Sequence, residues 1–294
     1  MPELPEVETV LRGLVPYVHE AHIIQVTLTR PNLRFSFPKD FPKVLVGQMI
    51  LGLERRSKYL LFHLNNGYSM ISHLGMSGSW RLVMSEGASK DVSMEQSKSP
   101  KHDHVMIALL TKTQQRIRLV YNDPRRFGFL LLAKTVQLPI HPLLKKLGPE
   151  PFGGLTFSGK NSLTGTYLTR VFASKMTPLK TVLLDQSVVA GLGNIYVCEA
   201  LWRAALCPKR PASSLKGWAV EKLVAHIYSV IDEAIIAGGS SLRDHRQVDG
   251  RLGYFQNQFS IYGRAGEACL RCGGMVEVMR QAGRSTFYCP SCQN

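Results

Sequence analysis

Met-Pro-Glu-Leu-Pro-Glu-Val-Glu, residues 1–8, sets two prolines and three glutamates in front of an apolar helical run. Val7, Val10, Leu11 and Leu14 recur at the spacing of one helical face, so a helix is expected over 6–15, with Pro16 limiting it. Pro5 suits a first helical turn, and Glu6 and Glu8 favour the positive end of the helix dipole. On these grounds alone the stretch is a helix lead-in. It also has a chemical reading. If Met1 is removed, Pro2 carries a free secondary amine, and an α-amino group titrates near ~8. Attack of such an amine on an aldehyde-level carbon gives an iminium that is cationic without further protonation. Glu3, its neighbour, can shuttle protons.

Beyond this helix the signal is β. Strand candidates begin at Ile23-Ile24-Gln25-Val26 and continue over 48–54, 57–64, 68–74, 78–84, 104–111, 116–121 and 127–133. Asn65-Asn66-Gly67 separates two of them as a hairpin turn. Seven or eight short strands predict an antiparallel sandwich. Residues 85–101 are polar and low in complexity, and read as a surface loop. Residues 139–165 are rich in Pro, Gly, Ser and Thr and read as a linker. The period then becomes helical. A short helix is expected from about 194 to 206, after Gly191-Leu192-Gly193, whose open N–H groups suit an anion such as phosphate. A long helix carries Val220, Leu223, Val224, Ile227, Ile231, Ala234 and Ile235, capped by Ser213 or Ser214 and stopped by Gly238-Gly239. Residues 240–260 read as a basic loop that either closes over a ligand or is simply a loop.

The 294 residues are enough for about two domains, and 45% are hydrophobic. No apolar run is long enough to span a membrane, and the acidic, proline-bearing N-terminus is no signal peptide. A soluble, intracellular chain is expected. The net charge of +15 points to a polyanion, most often nucleic acid. Four of six cysteines, Cys269, Cys272, Cys289 and Cys292, form C-x2-C-x16-C-x2-C. Two tight pairs of thiolates read as one structural zinc site rather than disulfides, with no position left for water. So short a segment has no core of its own without metal. A β-like stretch runs from Met275 to Met279, and Arg280, Arg284, Thr286 and Tyr288 on the hairpin suit a phosphate backbone.

Several blocks resemble one family: Met-Pro-Glu-Leu-Pro-Glu-Val-Glu-Thr, Arg-Arg-Ser-Lys-Tyr-Leu (55–60), His-Leu-Gly-Met-Ser-Gly (73–78), Lys-His-Asp-His (101–104) and Asp-Pro-Arg-Arg-Phe-Gly (123–128). Leu-Gly-Pro-Glu-Pro (147–151), Gly-Leu-Gly-Asn-Ile-Tyr (191–196), Ile-Tyr-Gly-Arg (261–264) and the cysteine set join them. Together they resemble, end to end, the bacterial formamidopyrimidine-DNA glycosylases. The longer 85–101 loop and Val197-Cys198 depart from the pattern.

The resemblance implies an α+β multidomain fold. A catalytic N-terminal helix and antiparallel β-sandwich would occupy 1–138, with a linker at 139–165. A helix–two-turns–helix DNA-binding domain at 166–262 would carry a lesion loop at about 240–256, and a zinc hairpin would fill 263–294. DNA would lie in the cleft between domains. The implied enzyme removes oxidised purines, such as 8-oxoguanine and formamidopyrimidines, and then cuts the strand at the abasic site. Pro2 would be the nucleophile, Glu3 the proton shuttle, Lys58 an assisting cation and Arg264 the phosphate-binding arginine of the later elimination. His102, Arg125, Lys175 and Asn194 match DNA-contact positions. Met76, Arg125 and Phe127 match the residues that fill the gap left by a flipped base. For Lys58 a surface strand lysine is the simpler local reading, and for Met76 and Phe127 core packing is. Glu6 and Glu8 are left to capping and structure, and His104 without a role. A cytoplasmic, nucleoid-associated monomer acting on damaged double-stranded DNA is expected. The alternatives are an endonuclease VIII-like glycosylase for oxidised pyrimidines, a non-catalytic zinc-containing DNA-binding protein, and an RNA-binding protein. Leu4 and the Met76/Arg125/Phe127 set favour the purine enzyme.

Overall fold

The computed structural model describes residues 1–84, 99–152, 162–240 and 253–294. The loop expected at 85–101, the linker at 139–165 and the lesion loop at about 240–256 therefore lie partly outside the described residues. The chain divides into two compact units: Met1–Lys145 with Gly238–Tyr254, and Lys146–Ala237 with Phe255–Asn294.

In the first unit, helix α1 (Leu4–Val18) buries Val7, Val10, Leu14 and Val18. It runs through Pro16 rather than stopping there. A proline this close to the helix end removes one backbone bond, while the buried Leu14 and Val18 hold the last turn in place. Eight strands follow: β1 (His22–Leu28), β2 (Ile50–Arg56), β3 (Tyr59–Leu64), β4 (Tyr68–His73), β5 (Ser79–Met84), β6 (Asp103–Leu110), β7 (Arg116–Asn122) and β8 (Phe129–Lys134). A short helix, α2 (Phe41–Leu45), lies between β1 and β2 and is too brief to show a period in sequence.

The strands form two antiparallel four-stranded sheets, ordered β1-β6-β7-β5 and β2-β3-β4-β8. Gly67, at φ +78°, makes the expected turn between β3 and β4. One apolar cluster draws on α1 and on both sheets, including Leu60, Phe62, Trp80, Ile107, Leu119 and Tyr121. Each such aliphatic or aromatic side chain contributes roughly 1.5–3 kcal/mol by leaving water. The Trp80 ring meets Phe62 at 5.7 Å and Tyr121 at 5.0 Å, and its N–H donates to Ser72 Oγ at 2.9 Å.

The second unit holds α3 (Gly165–Phe172), α4 (Leu179–Leu184), α5 (Asn194–Ala204) and α6 (Trp218–Ile236). The apolar positions expected for α6 are buried, and Gly238 and Gly239 end it at positive φ. Its start differs from expectation. Ser213 and Ser214 lie in a separate 3-10 turn, and Gly217 precedes the helix. Ser214 Oγ already donates to Pro211 O and accepts from Arg210 Nε, so its hydroxyl is spent before the helix begins. The C-terminal hairpin pairs β9 (Glu277–Gln281) with β10 (Arg284–Tyr288) about a turn at Ala282-Gly283, so the strand starts two residues later than its β-like stretch. Among the described residues no helix is long and apolar enough to cross a membrane.

Candidate active site and nucleic-acid interface

Met1 is half exposed and Pro2 is buried. Glu3 is the N-cap of α1 and forms a reciprocal capping box with Glu6, whose Oε2 accepts the Glu3 N–H at 2.8 Å. Glu6 does more than cap. Its Oε1 accepts the backbone N–H of Ser240 at 2.8 Å and the Ser240 hydroxyl at 3.0 Å. The two ends of the 240–256 segment meet here. Ser240 bridges Tyr254, and a Cβ added to Gly253 would lie 2.2 Å from Gly239 O, so this approach requires glycine. The capped start of α1 is thus tied to the base of that segment.

Lys58 sits in the turn between β2 and β3, after Ser57 at φ +54°. It is buried, at 6% exposure, which corrects the simpler reading of a surface lysine. Arg55 fixes this turn to α1. Its Nε donates to Glu8 Oε2 at 2.8 Å and its Nη1 to Ser57 O at 3.1 Å. His73 lies in the field of Lys58 and Arg34, and burial first, then these two charges, push its pKa down to about 4. Its ring stacks on Phe129 at 5.2 Å, and Nδ1 accepts the Gly75 N–H at 3.0 Å, placing the neutral ring's proton on Nε2. The unfolded chain takes up this proton near the ordinary value of 6.5, the folded chain only near 4. His73 therefore supports stability fully above pH 6.5, progressively less as pH falls through that interval, and no further loss follows below it. His73→Gln should flatten the fall in denaturant midpoint between pH 7 and pH 5. A slope as steep as wild type would assign the acid sensitivity to other groups.

Met76 and Phe127 are 40% and 44% exposed, so neither is the core residue that local pattern favoured. The Arg125 guanidinium lies 4.8 Å over the Phe127 ring. The loops carrying Met76 and Phe127 touch at Gly75, where an added Cβ would lie 2.4 Å from Gly128 N. His102 is half-buried at the end of a 3-10 turn, Pro100–His102.

The remaining sequence-predicted residues belong to the second unit. Lys175 is half-buried after α3. Asn194 opens α5, and its Nδ2 donates to Ser285 O of β10 at 2.9 Å. Lys180 was not foreseen. It is fully buried, and its Nζ donates to Ser285 O at 2.9 Å and Thr286 Oγ1 at 2.7 Å, so α4 and α5 hold the hairpin at the same residues. A lysine inside Leu179-Lys180-Thr181-Val182-Leu183-Leu184 was the only signal in the sequence. Glu199 was also missed. It is buried on α5 and accepts the backbone N–H groups of Ser260, Ile261 and Tyr262 at 2.9–3.1 Å. Arg264 hangs from the same turn, donating to Ser260 O, Ala268 O and Glu267 Oε2 at 2.8–3.0 Å.

The Sγ atoms of Cys269, Cys272, Cys289 and Cys292 all lie within 4.8 Å of one another. Four thiolates from two tight turns match tetrahedral zinc. Trp202 Nε1 of α5 donates to Cys269 Sγ at 3.4 Å. On the hairpin, Arg280 and Arg284 are exposed, but Thr286 and Tyr288 are buried. Thr286 Oγ1 accepts from Lys180 and donates to Gln281 Oε1, and Tyr288 donates to Glu277 Oε2. Those two hydroxyls serve the hairpin itself, not a phosphate.

The family model for the formamidopyrimidine-DNA glycosylase N-terminal domain matches residues 1–130, and that for the H2TH domain of the same enzymes matches 147–246. The zinc finger found in FPG and IleRS matches 266–294. Proteins named formamidopyrimidine-DNA glycosylase from Brucella ovis and Bartonella henselae are each 53% identical over 299 aligned residues, covering 100% of both chains. The wild-type Lactococcus lactis Fpg (MutM) in complex with N7-benzyl-Fapy-dG DNA superimposes with a TM-score of 0.84 at 35% identity, covering 100% of both chains. A MutM complex with DNA containing carbocyclic 8-oxo-G gives 0.83 at 35%, again over 100% of both chains. A sandwich led by a capped helix, a helix–two-turns–helix unit and a tetrathiolate hairpin together define a zinc-finger DNA glycosylase. The chain belongs to the formamidopyrimidine-DNA glycosylase family. Its cysteine set is the site of one structural zinc ion.

Proposed function

We propose that the chain is a bifunctional glycosylase and abasic-site lyase that excises oxidised purines, including 8-oxoguanine and formamidopyrimidines, from double-stranded DNA. The observation that carries this is the Pro2-Glu3 pair at the capped start of α1, held beside the base of the 240–256 segment. A damaged nucleotide is extruded from the stack. With Met1 removed, the Pro2 nitrogen bonds to C1′, the base leaves with its bonding pair and takes up the proton that the nitrogen sheds, and Glu3 protonates O4′ as the C1′–O4′ bond breaks. The resulting iminium acidifies the C2′ hydrogen. Its loss expels the 3′ phosphate, and a second elimination expels the 5′ phosphate. Lys58 stabilises the developing charge. Arg264, oriented by three bonds, presents its remaining N–H groups to a phosphate. His102, Lys175 and Asn194 hold the backbone. This reading keeps the four-part division 1–138, 139–165, 166–262 and 263–294, with a monomer working on the nucleoid in the cytoplasm.

Met76, Phe127 and Arg125 fill the gap left by the extruded base. Arg125 offers two parallel donors and no acceptor. Cytosine presents O2 and N3 as adjacent acceptors, whereas adenine sets a donor beside N1. Excision of 8-oxoguanine should therefore be faster opposite cytosine than opposite adenine. Arg125→Ala should narrow that ratio by about 1–3 kcal/mol, the worth of a bidentate base contact. Single-turnover rates on both duplexes, with a thymine glycol duplex alongside, test the whole reading. Preferred turnover of thymine glycol would instead make the chain a pyrimidine glycosylase, and an unchanged ratio would remove Arg125 from base reading.

A further inference from the structure

Three segments that the proposed reading sets on DNA converge on one buried carboxylate. Asp123 has 0% exposure. Its Oδ1 accepts the Ser77 hydroxyl at 2.5 Å, and its Oδ2 accepts the Gly128 N–H at 2.8 Å. Its own N–H donates to His102 O at 3.0 Å, and its carbonyl accepts from Arg126 N at 3.2 Å and pairs with His104 Nε2 at 2.9 Å. Ser77 Oγ in turn accepts the Arg125 N–H at 3.1 Å. One residue thus ties down the neighbour of Met76, the backbone of Arg125, the residue after Phe127 and the carbonyl of His102. His104, which had no role in the sequence, joins the same network through its ring.

A carboxylate this deep is retained only when its oxygens are fully used. An ordinary turn between β7 and β8 needs no buried charge. What this charge adds is a further tie between two loops, 74–78 and 124–128, that already touch where Gly75 meets Gly128. Arg125 can discriminate bases only if its fork is held at one angle, because a side chain that swings finds acceptors on either partner.

We infer that Asp123 is the positioning residue for orphaned-base discrimination, acting on Arg125 through the Ser77 hydroxyl. The inference rests on the proposed role of Arg125. Ser77→Ala removes the link between Asp123 and the Arg125 N–H. Asp123→Asn replaces one acceptor by an amide donor facing either Gly128 N or Ser77, and it removes the charge.

The test measures single-turnover excision of 8-oxoguanine opposite cytosine and opposite adenine for wild type, Ser77→Ala, Asp123→Asn, Arg125→Ala and the Ser77→Ala/Arg125→Ala double variant. Melting temperatures are recorded in parallel. Ser77→Ala should narrow the cytosine-to-adenine ratio by roughly tenfold, within the range of one base contact. Asp123→Asn should narrow it at least as much. A purely structural role would lower both rates together and leave their ratio alone. Ser77→Ala should change nothing further in the Arg125→Ala background, since both act on one contact. If Asp123→Asn does not fold, Ser77→Ala and the double variant decide the matter. An unchanged ratio in Ser77→Ala, or a further fall in the double variant, overturns this inference while the role of Arg125 stands. An unchanged ratio in Arg125→Ala overturns that role and this inference with it.

Discussion

Borohydride will trap the chain on 8-oxoguanine DNA as a covalent adduct at Pro2 when Met1 has been removed, and will not trap the chain that keeps it. The retained methionine makes the Pro2 nitrogen an amide, whose lone pair is delocalised and cannot attack C1′. Pro2 is buried in the folded chain, and removal of Met1 turns its amide nitrogen into a free amine. Glu3→Gln should lower base excision by about 10²–10⁴-fold, the usual worth of a positioned acid–base group. Lyase activity on a preformed abasic site should survive better, because there the base has already left. Intact mass identifies the processed chain, and peptide mapping locates the adduct. Equal trapping yields with and without Met1 would end the assignment of Pro2.

Cys272→Ala will release the zinc and abolish most DNA binding while the β-sandwich stays folded. Structural zinc supplies about 10–16 kcal/mol of apparent binding energy in finger peptides, far more than so short a hairpin obtains from its own packing. The apolar cluster there is small: Cys198, Ile261, Cys269, Val276 and Cys289, with a few partly buried neighbours. The sandwich draws its core from α1 and the two sheets, all within the first unit, and so keeps its stability. Losing the metal frees β10, and with it the carbonyl that Asn194 and Lys180 grip. Elemental analysis, gel shift and circular dichroism read the three consequences separately. Trp202 fluorescence should also change, since its indole N–H is bonded to the Cys269 thiolate. Replacing Cys198 or Cys207 should leave the metal in place. Full zinc content in Cys272→Ala would disprove the ligand set.

The elements legible in the chain were those set by short-range repetition. The apolar face of α1, the eight strands and the stripe on α6 follow from periods of 3.6 and 2.0, which any window of sequence displays. The tetrathiolate site follows from spacing, because two C-x-x-C turns suffice to surround a metal. Pro2 and Glu3 were chemically suggestive, yet their role required resemblance to a known family. A lone Pro-Glu pair has the same local propensities whether it caps a helix or attacks a sugar.

The tertiary structure decided whatever depends on partners distant in the chain. Lys58, expected at the surface from local pattern, is buried because Arg55 pins its turn to Glu8 of α1. Met76 and Phe127, which local pattern alone would place in the core, are left outside because Asp123 and Gly75 fix their loops in place. Thr286 faces Lys180 instead of a ligand, and Ser214 spends its hydroxyl before α6 starts. Lys180, Glu199 and Asp123 are buried polar groups whose stability requires donors or acceptors far away in sequence. Burying such a group is unfavourable unless those partners arrive. The sequence by itself determined the elements long enough to show a period, and where the metal binds. Only folding determined which polar side chains are buried to hold the reactive ones, since that depends on long-range pairing and not on any repeating pattern.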